Sequence, residues 1–110
     1  MTVDGDTSTN DMCVALANGM AGNSQIEWKD DDFAIFAKAL RQVCEQMARA
    51  IAADGEGASR LVTCTVRNAR SEESAERLAE AVVGSSLVKA AMFGADANWG
   101  RVLCAMGYSK

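Results

Sequence analysis

Phe33, Phe36, Leu40, Val43, Met47 and Ile51 recur at spacings of three and four, and this stripe does most to limit what the chain can fold into. It predicts one long amphipathic helix with those six side chains facing inward. Asp30, Asp31 and Asp32 stand at its start, where acidic groups complement the helix dipole. Asp54-Gly55 supplies a stop signal. Lys38, Arg41, Glu45 and Arg49 fall between the apolar positions and read as a solvated face. Aromatics are only 5% of the chain although 49% is hydrophobic, so its helices are expected to pack closely with few large anchors.

The other elements are read from local signals. Asn10 or Asp11 is placed to cap a helix beginning near Met12, with Met12, Ala15, Leu16 and Met20 on one face and Gly19 and Gly22 ending it. Gln25 to Trp28 reads as a short extended or linking piece. Ser59 to Arg67 alternates as a strand, Val62, Cys64 and Val66 pointing one way and Leu61, Thr63 and Thr65 the other. Ser71 can cap a helix to about Val83, with Ala75, Leu78, Ala79 and Val82 inward and Gly84 closing it. Leu87 to Phe93 fits helix and strand equally. Gly94 to Asn98 is a turn, and Trp99 to Met106 begins another helix. This order suggests α/β or α+β layering in a single segment, 1–110. One strand cannot make a sheet. Either further strands go unrecognised, or they lie on a partner chain and this one leaves an open edge.

Composition excludes several functions. A formal net charge of -4 provides no basic patch for nucleic acid or an anionic membrane. No apolar run approaches a membrane span of roughly 18 residues, and Lys89 interrupts the best candidate, Leu87 to Phe93. No signal peptide begins the chain, so a cytoplasmic location is expected. Cys13, Cys44, Cys64 and Cys104 are widely spaced among apolar neighbours and read as reduced, buried thiols rather than a zinc or redox motif. Histidine is absent, which removes every Ser-His-Asp and Cys-His mechanism carried within this chain. Acid–base chemistry is left to carboxylates, lysine, tyrosine or an amino terminus.

Three stretches are candidates for a site. The polar run Thr2-Val3-Asp4-Gly5-Asp6-Thr7-Ser8-Thr9-Asn10-Asp11 is either a solvated tail or a self-bonded turn that delivers polar groups. It is not an EF-hand loop, because counting from Asp4 puts Thr9 where glycine is required and Ala15 where an acid is required. Gly94 to Arg101 lacks the Gly-Lys-Ser/Thr ending of a phosphate loop and contains Asp96, which an anion would meet, so a structural turn with a capped helix suits it better. In Asp54-Gly55-Glu56-Gly57-Ala58-Ser59 the simplest reading is a helix stop and a loop. The sharper one is that two glycines let the backbone approach a ligand while Glu56 projects toward an ammonium group.

Taken in order, Thr2 to Asp11, Asp54-Gly55-Glu56-Gly57-Ala58-Ser59-Arg60 and Val88-Lys89-x-x-x-Phe93-Gly94-Ala95-Asp96-Ala97-Asn98-Trp99-Gly100-Arg101 resemble the ArgJ family, the glutamate N-acetyltransferase / ornithine acetyltransferases of arginine biosynthesis. Ala17-Asn18-Gly19 and Gly107-Tyr108-Ser109 also fit, and the likeness spans essentially the whole chain. The resemblance implies a precursor that cuts itself before a threonine. The freed threonine of the β chain takes acetyl from N-acetylornithine and passes it to glutamate, its own α-amino group serving as base. Some members also use acetyl-CoA, as a substrate and not as a cofactor; no metal is implied. The implied fold is an α/β layered sandwich of the DmpA/ArgJ type, shared by α and β chains in a hetero-oligomer, of which this chain would be a part.

Carried over residue by residue, the resemblance makes Glu56 the substrate-binding glutamate, paired with the substrate's α-ammonium. It places no catalytic residue in this chain. The nucleophile, the oxyanion-hole residues and the substrate-binding lysine are expected before residue 1, and a substrate-binding asparagine with its hydroxyl neighbour past Lys110. The chain is thus expected to be an internal β-chain piece, inactive alone. Thr2 belongs to the Thr-Val-Asp-Gly-Asp motif and not to the cleavage motif, so it is not expected to be the nucleophile even if methionine removal exposes its amino group. Two other classes remain in view: a non-catalytic interaction or structural module, and an aminopeptidase-like hydrolase of a related self-cleaving fold.

Overall fold

The structure is a computed structural model that describes residues 1–109. The chain divides into two compact units. One comprises residues 6–47, and the other residues 1–5 together with the chain from Ala48 onward. Four helices occur among the described residues: α1 (Asp31–Ala53), α2 (Glu72–Gly84), α3 (Ser86–Phe93) and α4 (Trp99–Gly107).

In the 6–47 unit, the polar run forms a self-bonded turn. The Ser8 amide donates to Asp11 Oδ2 at 3.2 Å, and the Asn10 amide donates to Ser8 Oγ at 3.2 Å. This turn directs the Asp11 carboxylate back toward Ser8 and away from the amides that a helix at Met12 would present. The helix expected from Met12 to Met20 does not form: the segment is irregular, and Leu16 is 93% exposed. Gly19 and Gly22 sit at φ 72° and 69°, a left-handed conformation that no right-handed helix contains. A piece this short is marginal as a helix without packing.

The expected long helix is present as α1. Asp30 caps it, its Oδ1 accepting from the Phe33 amide at 2.9 Å, with Asp31 and Asp32 in the first turn. Its apolar stripe, however, is not inward. Phe33, Phe36, Leu40, Val43, Met47 and Ile51 are all exposed, Phe36 by 57%. Periodicity reports that a face is apolar; it does not say what covers that face.

The other unit holds the core. Ser71 caps α2 by accepting from the Ser74 amide at 3.1 Å. Ser85 closes α2 through its own amide and caps α3 through its hydroxyl, so a buried polar residue is fully used at the α2–α3 corner. Leu87 to Phe93, which suits two conformations by sequence, is helical. Asn98 caps α4 by accepting from the Arg101 amide, and Asp96 holds the Asn98 side-chain amide. Val82 from α2, Val88 from α3 and Ala105 from α4 meet as a small buried cluster, with Cys64, Met92, Val102 and Met106 packed on it. Ala105 is 0% exposed, which keeps the helices close as the alanine-rich composition implies.

Ser59 to Arg67 is not a strand, and no strand occurs among the described residues. The expected alternation shows only in part: Cys64 and Val66 are half-buried and Leu61, Thr63 and Thr65 are exposed, but Val62, expected on the inward side, is exposed too. A strand is defined by its neighbours, and this segment has no partner among the described residues to share a ladder with. Cysteine burial also differs from expectation. All four are free thiols, but Cys13, Cys44 and Cys104 are exposed and only Cys64 is half-buried, because apolar neighbours in sequence do not bury a residue on an uncovered face.

The end of α3 is unusual. The Asp96 amide donates to the Ala91 carbonyl and the Ala95 amide to the Met92 carbonyl, the two bonds of a Schellman cap. The residue held left-handed there is Ala95, at φ 56°, while the adjacent Gly94 has an ordinary negative φ. Replacing Ala95 by glycine removes the steric cost of that conformation and is expected to stabilise the fold by about 0.5–1 kcal/mol. A chemical-denaturation midpoint that falls would contradict this.

Candidate functional site

The Glu56 loop begins where α1 ends. The Ala58 amide donates to the Gly55 carbonyl at 2.8 Å, closing a four-residue turn. Gly57 takes φ 69° at the third position and Glu56 keeps a negative φ at the second, the arrangement of a type II turn. A side chain at position 57 would be strained, so glycine is demanded by the backbone. Gly55 is closely packed: a β-carbon there would come within 3.1 Å of Val3 Cγ1, which would have to shift by a few tenths of an ångström. The turn leaves Glu56 exposed, with no hydrogen bond or ion pair among the described residues.

Val3 is the meeting point. Its side chain rests on Gly55, and its carbonyl accepts a hydrogen bond from Lys89 Nζ of α3 at 2.8 Å. The two residues are 86 positions apart. Around this junction lies an open cleft of about 240 Å³. Thr2 and Val3 from the first motif line it, with Gly57 and Arg60 from the second and Lys89 and Phe93 from the third. Parts of the three stretches singled out by sequence therefore share one cleft within one unit. Its charged lining residues are Arg60 and Lys89. Glu56 does not line the cleft; it projects from the turn that Gly57 closes beside it.

Other expected features fall elsewhere. The remainder of the first motif, Asp6 to Asp11, belongs to the second unit. Gly94 to Asn98 forms the cap and turn that start α4, the structural role expected of it. Among the described residues, no group of three or more Cys, Asp or Glu side chains could hold a metal. No helix there is long and apolar enough to cross a membrane.

Lys89 reads from sequence as a charge that breaks an apolar run and as part of the third motif; its bond to the Val3 carbonyl, made at an exposed position, has no signal in the sequence.

Comparison with known proteins identifies the family. The ArgJ family model matches residues 1–110, so the chain belongs to the ArgJ family. It is 53% identical over 109 residues to the arginine biosynthesis bifunctional protein ArgJ of Geobacillus kaustophilus (strain HTA426), covering 99% of this chain and 27% of that protein. To the protein of the same name from Listeria monocytogenes serotype 4b (strain F2365) it is 52% identical over 109 residues, covering 99% of this chain and again 27% of the relative. The crystal structure of arginine biosynthesis bifunctional protein argJ from Bacillus halodurans superposes with a TM-score of 0.90 at 53% sequence identity, over 98% of this chain and 51% of that one. The chain thus spans about a quarter of the length of the curated relatives it matches.

Proposed function

We propose that this chain forms part of an arginine-biosynthesis acetyltransferase that moves acetyl from N-acetylornithine to glutamate. The observation that carries the reading is the family match over residues 1–110, joined to the meeting of parts of three family motifs at one cleft. In this reading a threonine hydroxyl outside the chain attacks the acetyl carbonyl, ornithine leaves as the free amine, and the glutamate amine then attacks the acyl-threonine ester. Acetyl-CoA is a second acetyl donor open to such an enzyme, and no cofactor is needed. An amino-terminal threonine can use its own α-amine as base.

Glu56 is the substrate-binding residue in this proposal. Its turn exposes the carboxylate, and Gly57, with open space where a side chain would stand, leaves the backbone beside it open to a ligand. An ammonium group is the partner its charge suits. The remainder of the enzyme supplies the strands that pair with Ser59 to Arg67, completing an α/β sandwich of α and β chains, and covers the apolar stripe of α1. The working enzyme is cytoplasmic in this reading.

The test is acetyl transfer from N-acetylornithine to glutamate by the full-length gene product, with this 110-residue chain alone as control. Transfer by the full product and none by the chain are expected. Turnover by the chain alone would overturn the assignment of the nucleophile to another segment. A full product that releases acetate instead of N-acetylglutamate would favour the hydrolase reading. Thr2→Ala in the full product is expected to leave transfer within about threefold of the parent, since Thr2 lines the cleft without serving as nucleophile.

A further inference from the structure

We infer that Lys89 is a positioning residue for the Glu56 loop, acting through the backbone of Val3. The inference rests on the reading of Glu56 as the ammonium-binding residue. Lys89 is half-buried on α3, and Val88 beside it is 2% exposed in the helical core, so the base of the lysine is fixed by packing. Its Nζ donates to the Val3 carbonyl at 2.8 Å, a charge-assisted bond between segments at opposite ends of the chain.

Val3 passes this constraint on. Its Cγ1 lies so near Gly55 that a β-carbon there would sit only 3.1 Å away. Gly55 is the first residue of the turn, and its carbonyl accepts the bond that closes that turn at Ala58. Glu56 is the second residue of that turn and makes no hydrogen bond or ion pair of its own among the described residues that would hold it. The position of its backbone is therefore set from one side by α1 and from the other by Val3. Released from Lys89, Val3 can lift from Gly55, and the turn that carries Glu56 loses its fixed position. Lys89 needs no contact with substrate for this. An ammonium has three donors, and only the one directed at Val3 is used by the tether.

The experiment compares Lys89→Met and Lys89→Arg in the full-length gene product. Methionine keeps the apolar stem and removes the donor; arginine keeps a donor and the charge. Lys89→Met is expected to lower kcat/KM for glutamate about tenfold, the size of one lost charge-assisted bond acting indirectly, with acyl-enzyme formation from N-acetylornithine little changed. Lys89→Arg is expected to restore most of the loss. In a Glu56→Gln background the methionine substitution should add little, because the residue it positions is already disabled. Independent, additive losses would overturn the proposal, as would failure of arginine to rescue. Amide exchange provides the arm that does not depend on Glu56. Lys89→Met should speed exchange at Gly55 to Ala58, and unchanged protection there overturns the tether whatever the kinetics. If Glu56→Gln alone leaves glutamate use intact while exchange responds to Lys89→Met, the tether stands and the reading of Glu56 falls.

Discussion

Replacing Glu56 by glutamine in the full-length gene product is expected to lower kcat/KM for glutamate by about 10- to 150-fold, the range of a hydrogen bond to a charged group worth about 1.5–3 kcal/mol. Glutamine keeps the shape and the exposed position, so the change isolates the charge. The two half-reactions should respond differently. In N-acetylornithine the α-nitrogen is an amide and carries no charge for Glu56 to hold. Release of ornithine on formation of the acyl-enzyme should therefore stay within about threefold of the parent. Glutamate arrives with an α-ammonium, which becomes the attacking amine once it loses a proton. Losing its partner costs both binding and orientation at the reacting atom, so KM should rise and kcat fall together. Rapid-quench measurement of ornithine release against N-acetylglutamate formation separates the two steps. Equal losses in both would place Glu56 outside the ammonium site.

Gly57 was legible in the sequence because its demand is local, whereas the contact that crowds Gly55 comes from Val3, 52 positions away. A left-handed residue at the third turn position calls for glycine wherever the rest of the chain lies, and Gly57 meets it. Ser71 and the cap at the start of α4 were legible for the same reason, each satisfying an amide three residues on, whereas Asp30 reads from sequence as a charge complementing the helix dipole and proves to be the cap of α1. What failed depends on distant partners. Ser59 to Arg67 has a strand's alternation, yet a ladder needs a neighbour that residues 1–109 do not provide. Met12 to Met20 looked like a helix because Asp11 stands before it, but Asp11 folds back on Ser8 instead. Propensity cannot decide between two local bonds of similar strength. The Lys89–Val3 bond spans 86 positions, and nothing in the spacing of the motifs announces it. The family likeness carried information of another kind: it brought three separated stretches into one argument before any geometry joined them.

The stripe on α1 leads to the second large effect. Phe33, Phe36, Leu40, Val43, Met47 and Ile51 form one continuous apolar face, and all six are exposed in this chain. Burying a Leu or Phe side chain contributes about 1.5–3 kcal/mol, so such a face represents a large unused driving force. A surface of that kind marks an interface. In the proposed enzyme the remaining segments cover it, and a charge placed there would be buried without a partner. Leu40→Asp in the full-length gene product is expected to reduce stability by at least about 3 kcal/mol, from lost apolar burial and an uncompensated carboxylate. Arg41, the next residue, lies on the charged face of the same helix. Arg41→Ala should change stability by less than about 0.5 kcal/mol, because a solvated side chain at a helical position contributes little. Urea unfolding of both variants beside the parent makes the comparison within one helix and one protein. A large loss for Leu40→Asp alone means that the stripe is an interior face of the assembled enzyme. Equal, small effects would mean that α1 stays uncovered there too, and the arrangement proposed for the α and β chains would be wrong at this helix.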